Sequence, residues 1–196
     1  MKKLISTIEI VDNGKFSGYL DLGELEKLLN DSFGVRDMEL VRGYFDKNSP
    51  SYPSGVSFLV LTQDIAQEGS PLAGILLAET KGIHGFNFDY YDKIAVHPDY
   101  QKNGVMTNLV QIARNIGDQD GQIPPALLRT SDAEISKSYD KLSDVVVKMG
   151  DYYIHGYGFF NDDGNPLLDD VLGKFQSAAK YAAALPATLV KKQHNY

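Results

Sequence analysis

The apolar positions change period along the chain, and the changes mark out its elements. In "LISTIEIV", residues 4–11, apolar and polar positions alternate enough to predict a first strand. In "YLDLGELEKLLNDSF", Leu22, Leu25, Leu28, Leu29 and Phe33 then recur at helical spacing. The polar, proline-bearing "DKNSPSYPSG" reads as a loop. "VSFLVLTQD" and "PLAGILLAETKG" read as two β-rich runs with a turn near Gly69 to Pro71, which predicts a central antiparallel hairpin. "YYDKIAVHP" predicts another strand. After a polar turn, Met106, Leu109, Val110 and Ala113 share one face of a helix over 105–116, and "GDQDGQIPP" breaks it.

Further on, "ALLRTS" reads as a short strand and "DAEISKSYDKL" as a helix, followed by two short strands around Gly150 in "VVVKMGDYYIHGYGFF". In the tail, Asn165 can cap and Pro166 suits a first helical turn. Leu167, Leu168, Val171, Leu172 and Phe175 repeat at helical spacing, so a last helix is expected to begin there and fade before Pro186. The order β-α-β-β-β-α-β-α-β-β-α predicts an α/β (α+β) fold: a mixed, mostly antiparallel central sheet flanked by helices, with an extra C-terminal helix. The expected division is a domain over 1–162, with the helix and tail of 163–196 packed on it.

Composition narrows the partners. At 196 residues, 43% hydrophobic and 23% charged, the chain can bury one sizeable core. A net charge of -7 argues against nucleic acid or a membrane surface as a general partner, because both reward clustered cations. There is no cysteine, hence no disulfide framework and no thiol nucleophile. His84, His97, His155 and His194 share no metal-ligand spacing, so no metal is expected. The start has no secretory leader pattern and no apolar run approaches the roughly 20 residues of a membrane span. A soluble, cytoplasmic protein is expected.

The chemistry gathers at "VHPDYQKNGVM". A helix start presents unpaired N–H groups and the positive end of a dipole, which together favour an anion. Gly104 would let the backbone approach such a ligand, Asn103 tolerates left-handed angles, and Lys102 adds a mobile charge. The same Asn-Gly pair would also serve a plain turn. No Gly-x-Ser-x-Gly elbow, Walker turn or dinucleotide fingerprint competes with this stretch.

The stretch resembles motif A of the GCN5-related N-acetyltransferases: a strand, often Val-x-Pro, then Gln or Arg, two residues, Gly, one residue, Gly or Ala, and a helix. The order of elements from about Ile5 to Phe160 resembles that family too. "LEKLLNDSFG" with "YF", and Asp92, Lys93 and Val96 in "YYDKIAV", are similar to the acetyltransferase domain of the amino-acid-kinase-fused N-acetylglutamate synthases. Gln101 and Gly104 match motif A directly, whereas Met106 stands where the family has Gly or Ala. The resemblance implies acetyl-CoA as acetyl donor. Its pyrophosphate would lie on the turn from Gln101, Lys102, Asn103 and Gly104 into Val105, Met106 and Thr107, and its pantetheine arm would pair with the strand before.

The resemblance also implies roles for side chains. "LLRTSDAEISKSYDKLSD" is similar to the synthases' acceptor strand and the helix after it. Arg129 matches an arginine, Thr130 replaces a serine, Ser143 and Asp144 echo Ser-Asp, and Tyr139 falls at the tyrosine near the thioester sulfur. The tryptophan, second arginine and asparagines of that pattern are absent. A tyrosine with an ordinary pKa of about 10 is protonated at neutral pH and can protonate a departing thiolate. A strand bulge around Ala95 and Val96 could leave a backbone N–H for the oxyanion. Lys93 and Arg129, on strands expected to flank the acceptor, can hold a carboxylate. The expectation is N-acetyl transfer to a small-molecule amine, an amino acid such as glutamate. The alternatives are a non-catalytic acyl-CoA or amino-acid binding module, and an interaction protein whose C-terminal helix forms a homodimer or partner surface. "FNFDYYD" reads either as an acceptor wall or as a plain alternating strand.

Overall fold

The computed structural model describes residues 9–10, 22–33, 56–63, 72–116, 125–161 and 163–185. The strands are β1 (Glu9–Ile10), β2 (Val56–Gln63), β3 (Leu72–Ile83), β4 (Phe86–Val96), β5 (Ala126–Thr130), β6 (Val145–Met149) and β7 (Tyr152–Tyr157). The helices are α1 (Leu22–Phe33), α2 (Val105–Ile116), α3 (Ala133–Asp140) and α4 (Val171–Ala184), with a 3-10 turn at Pro98–Tyr100. The element order is the one the hydrophobic periods predict. The loop "DKNSPSYPSG", the turn near Gly69 to Pro71 and most of "GDQDGQIPP" lie outside the described residues.

Hydrogen-bonded neighbours follow one another as β1-β2-β3-β4-β5-β7-β6. The pairs β1–β2, β5–β7 and β6–β7 are antiparallel, and β4–β5 is parallel. A parallel pair needs a crossover, and α2 supplies it. The β4–β5 ladder holds three pairs, from Asp89–Ala126 to Tyr91–Leu128, so Ala95 and Val96 lie past its end. Strand β4 starts earlier than "YYDKIAVHP" indicates, because His84 and Gly85, at φ 50° and 80°, close a two-residue turn from β3. Positive φ at both central residues is the hairpin geometry that matches strand twist.

The chain divides into two compact units. The first includes α1, β1, β2, residues 72–77 and Lys93–Val110. Within it Leu28 and Leu29 are buried, and so are Ala73, Ile75, Leu76, Ala95, Val105 and Leu109. Gly74 is what lets α2 lie close: a Cβ there would stand 2.8 Å from Val105 Cγ1, 3.0 Å from Leu109 Cδ1 and 3.1 Å from the Ala95 carbonyl oxygen.

The second unit comprises Ala78–Asp92 and Gln111–Pro186. Its core packs α4 on Phe88, Tyr90, Leu127 and Ile154. Ala178, Ala179 and Ala182 bring the helix near the sheet, and Phe175 meets Phe159 edge to face at 5.2 Å. Each large side chain buried this way contributes about 1.5–3 kcal/mol.

The last helix starts later than its leucine spacing predicts. The Asn165 N–H donates to Asn161 Oδ1 at 2.8 Å, the Asn161 N–H donates to the Asn165 carbonyl at 2.9 Å, and the Leu167 N–H donates to the Phe159 carbonyl at 2.9 Å. Backbone groups paired backwards in this way cannot also wind a helix. Asn165 and Pro166 therefore lie in a turn, and α4 begins at Val171 behind a left-handed Asp170 at φ 50°. Leu167 and Leu172 remain exposed.

Candidate functional site

In the first unit, the end of β4 leads into a tight turn that local chemistry explains. His97, before a proline, takes φ -54° and ψ 138°, as the ring of Pro98 requires. Its N–H donates to the Ala73 carbonyl at 2.9 Å and its Nδ1 accepts from the Asp99 N–H at 3.3 Å. The Tyr100 N–H donates to the His97 carbonyl, and the Tyr100 ring, buried, meets the His97 imidazole edge to face at 5.8 Å. Gln101 closes the turn: its N–H donates to the Pro98 carbonyl at 3.2 Å and its Nε2 to the Val96 carbonyl at 3.4 Å.

The next residues change hand. Lys102 has φ 62° and Gly104 φ 78°, whereas Asn103, expected to take the left-handed angle, does not. Gln101 through Gly104 are exposed. The first bond of α2 runs from the Asn108 N–H to the Gly104 carbonyl at 3.0 Å. The amides of Val105, Met106 and Thr107 therefore belong to a first turn that has no intrahelical acceptor. Left-handed residues interleaved with ordinary ones gather backbone N–H groups into a concavity that suits an anion. Lys102 supplies a cation there. Met106 is half-buried, so its side chain does not project wholly into solvent. Lys93, at the end of the strand, is 2% exposed and has partners within the protein.

In the second unit, Asp132 caps α3, its Oδ1 accepting from the N–H groups of Glu134 at 2.8 Å and Ile135 at 3.2 Å. The Asp132 N–H donates to Thr130 Oγ1 at 3.1 Å, which gives Thr130 a part in the same turn. The helix carries Tyr139 inward, 6% exposed, and burial pushes its phenol up from the usual value. Such a group stays protonated throughout the neutral range.

His155 of β7 is a partner that sequence reading missed. It is fully buried, with Nε2 3.0 Å from Ser136 Oγ and Nδ1 3.4 Å from Ser143 Oγ. Asp140 Oδ1 lies 3.6 Å from Nδ1. Burial lowers the imidazole's pKa, and Asp140 offsets this in part. The sequence signal was available: Ser136 and Asp140 are four apart on one helix face, in reach of one strand residue. The order Asp140, His155, Ser136 resembles a hydrolase relay in its atoms. Ser136 is 4% exposed, and the group ties α3 to β7.

Arg129 is occupied elsewhere in this unit. Its Nη1 donates to the carbonyls of Ala182 at 2.8 Å and Leu185 at 2.7 Å, and its guanidinium lies 4.5 Å from the Tyr152 ring centre. It thus satisfies orphan carbonyls at the C-terminal end of α4, where a cation is favoured. Asp144 likewise accepts from the Phe159 N–H at 3.0 Å.

A model of the acetyltransferase (GNAT) family matches residues 22–130, more than half of the chain. The chain belongs to that family. No curated protein sequence matches it. Among solved structures, this GNAT chain is similar to the GNAT N-acetyltransferase YhbS of Escherichia coli in complex with CoA, with 14% identity over 79% of this chain and 82% of that one, at a TM-score of 0.53. Arabidopsis thaliana NAA60 in complex with acetyl-CoA is similar at 14% identity over 78% and 97%, with a TM-score of 0.56. The PaiA N-acetyltransferase of Thermoplasma acidophilum in complex with coenzyme A follows at 16% over 78% and 99%, with a TM-score of 0.50. These likenesses establish the GNAT fold. Among the described residues, no helix is long and apolar enough to cross a membrane.

Proposed function

We propose that this GNAT chain transfers an acetyl group from acetyl-CoA to the amine of a small acceptor, an amino acid such as glutamate, as a cytoplasmic enzyme of amino-acid metabolism. The observation that carries the reading is the exposed turn with left-handed Lys102 and Gly104 at the start of α2. Its backbone donors and cation fit a pyrophosphate. The CoA and acetyl-CoA bound to the structural relatives support the choice of ligand.

Bound acetyl-CoA supplies an acetyl group activated as a thioester. The amides from Lys102 to Thr107 hold the diphosphate. Ala95 and Val96, past the end of the β4–β5 ladder, offer backbone groups to the pantetheine amides and an N–H to the acetyl oxygen. The acceptor nitrogen's lone pair forms the C–N bond while the C–S pair stays with sulfur. Tyr139 gives that sulfur its proton, and the proton shed by the amine returns through water to the Tyr139 oxygen. Burial keeps Tyr139 protonated at neutral pH, so the proton is present for the sulfur. Lys93 remains a candidate for the acceptor's carboxylate. Arg129 is assigned to holding α4, its observed contacts being with that helix.

Calorimetry with acetyl-CoA and a thiol-release assay across an amino-acid panel test the reading. We expect saturable binding and thiol release with at least one small amine. Absence of binding at high protein concentration removes the cofactor assignment, and binding without thiol release from any amine leaves a binding module.

A further inference from the structure

Asn-Gly is the pair in which an asparagine most readily loses its side-chain amide, because glycine leaves the following backbone nitrogen unshielded and free to turn. The chain holds two such pairs: Asn13-Gly14, outside the described residues, and Asn103-Gly104 in the turn before α2. Both residues of the second pair are exposed. Gly104 has φ 78°, and a Cβ built on it would meet no atom beyond its chain neighbours within 4 Å, so there is room for a ring closed on its nitrogen. Among the described residues the Gly104 N–H finds no backbone acceptor.

The comparable pair Asp163-Gly164 is protected. There the Gly164 N–H donates to the Asn161 carbonyl at 2.9 Å and the Asp163 N–H to Asn161 Oδ1 at 3.1 Å, so the nitrogen that would attack is already engaged. The Gly104 nitrogen has no such bond, and two features favour its ionisation. It lies just before Val105, where α2 starts and the helix dipole is positive, and it follows the exposed Lys102 ammonium by two residues. An amide nitrogen that has given up its proton is negative, and both charges stabilise it.

We propose that Asn103 deamidates spontaneously in the unliganded chain and that the carboxylate it becomes closes the turn to a diphosphate. The Gly104 nitrogen gives its proton to hydroxide and bonds to Asn103 Cγ. The bond from Cγ to Nδ2 breaks, and the side-chain amide leaves as ammonia with a proton taken from water. Water then opens the succinimide ring, at Cγ to give aspartate or at the backbone carbonyl to give isoaspartate. The balance is one water consumed, one ammonia released and one new negative charge, with no change of oxidation state. That charge stands beside the free amides of Val105, Met106 and Thr107, where it competes with an incoming anion and repels it. The effect on binding rests on the acetyl-CoA reading above, whereas the modification does not.

The test ages the wild type without ligand in warm, mildly alkaline buffer, with samples digested at mildly acidic pH and peptide-mapped over days. The expected result is conversion of Asn103 to aspartate and isoaspartate, faster than any conversion of Asn108 or Asn115 in α2. The aged acidic form, isolated by ion exchange, should bind CoA roughly tenfold or more weakly by calorimetry. Asn103→Asp should reproduce that loss with a melting temperature at or above the wild type. Asn103→Gln should keep its own initial CoA affinity on ageing, since the longer side chain closes a ring poorly. Conversion of Asn103 no faster than Asn108 overturns the proposal, as does an acidic form that binds CoA like fresh protein, or a loss of affinity that persists in aged Asn103→Gln. Each of these leaves the acetyl-transfer reading standing. Fresh wild type that binds no CoA overturns both.

Discussion

Tyr139 and His155 meet edge to face, their ring centres 5.6 Å apart and their planes at 65°. The contact fixes the ring of the proposed acid from the side of β7, while the serines at positions 136 and 143 hold the imidazole from the side of α3 and the segment after it. A phenol whose ring is clamped has its hydroxyl direction set before substrate arrives, which is the pre-organisation that proton transfer rewards.

Tyr139→Phe keeps that ring contact and removes only the proton. Thiol release should fall by about 10²-fold or more, with CoA affinity and melting temperature close to the wild type. Undiminished turnover would take Tyr139 out of the chemistry.

His155 sets the acid side of the stability profile. Its folded pKa lies below the ordinary 6.5, so below that pH the unfolded chain takes up a proton that the folded chain resists. The stabilisation is complete above 6.5 and is lost as pH falls through the lower, folded value. Urea midpoints measured at pH 7.5, 6.5 and 5.5 should decline in the wild type and decline less in His155→Gln. Parallel profiles would mean that another group controls the acid limb.

Lys102 is a non-glycine residue at φ 62°. Lys102→Gly should relieve backbone strain of about 1 kcal/mol and raise the melting temperature, yet weaken CoA binding through loss of the cation. A variant that gains stability with undiminished CoA affinity would show that the charge takes no part in binding.

Gly74 admits α2 to the sheet. Gly74→Ala should destabilise the chain by about 1–3 kcal/mol, because the new methyl group would meet Val105 Cγ1 at 2.8 Å and a backbone oxygen at 3.1 Å. Adding Val105→Ala removes the nearer obstacle, so denaturant midpoints of the double variant should recover part of the loss.

Arg129→Ala should lower stability by about 2 kcal/mol, since two carbonyls at the end of α4 lose their donor. The Michaelis constant for the acceptor should stay unchanged. A raised constant with normal stability would return Arg129 to the acceptor.

The parts legible in the sequence were those governed by local period. Helix 105–116 was read to the residue because Leu109, Val110 and Ala113, buried in the structure, repeat on one face. The turn before it is legible as a tight strand-to-helix connection, but propensity favours Asn103 for the left-handed position, and the structure has it at Lys102. The missed features are the non-local ones. Arg129 finds its carbonyls 53 and 56 residues away, and His155 finds Ser136 across 19. No periodicity encodes either distance. The start of α4 failed for the opposite reason: a good local helix signal at Asn165 and Pro166 yields to backbone pairing with residues 159–161.

That pairing has a bearing on how the chain can be divided. Read as sequence, "NDDGNP" has the polar, glycine- and proline-bearing character of a linker, and a boundary at 162/163 falls naturally within it. Yet Asn161 receives N–H groups from Asp163 and Asn165 on one side-chain oxygen, while its own amide is tied to Asn165. A protein expressed only to residue 162 would leave the Asn161 amide and side-chain oxygen and the Phe159 carbonyl without these partners and expose the apolar face that Phe175 and Ala179 cover. The junction should resist limited proteolysis, and the shortened chain should aggregate.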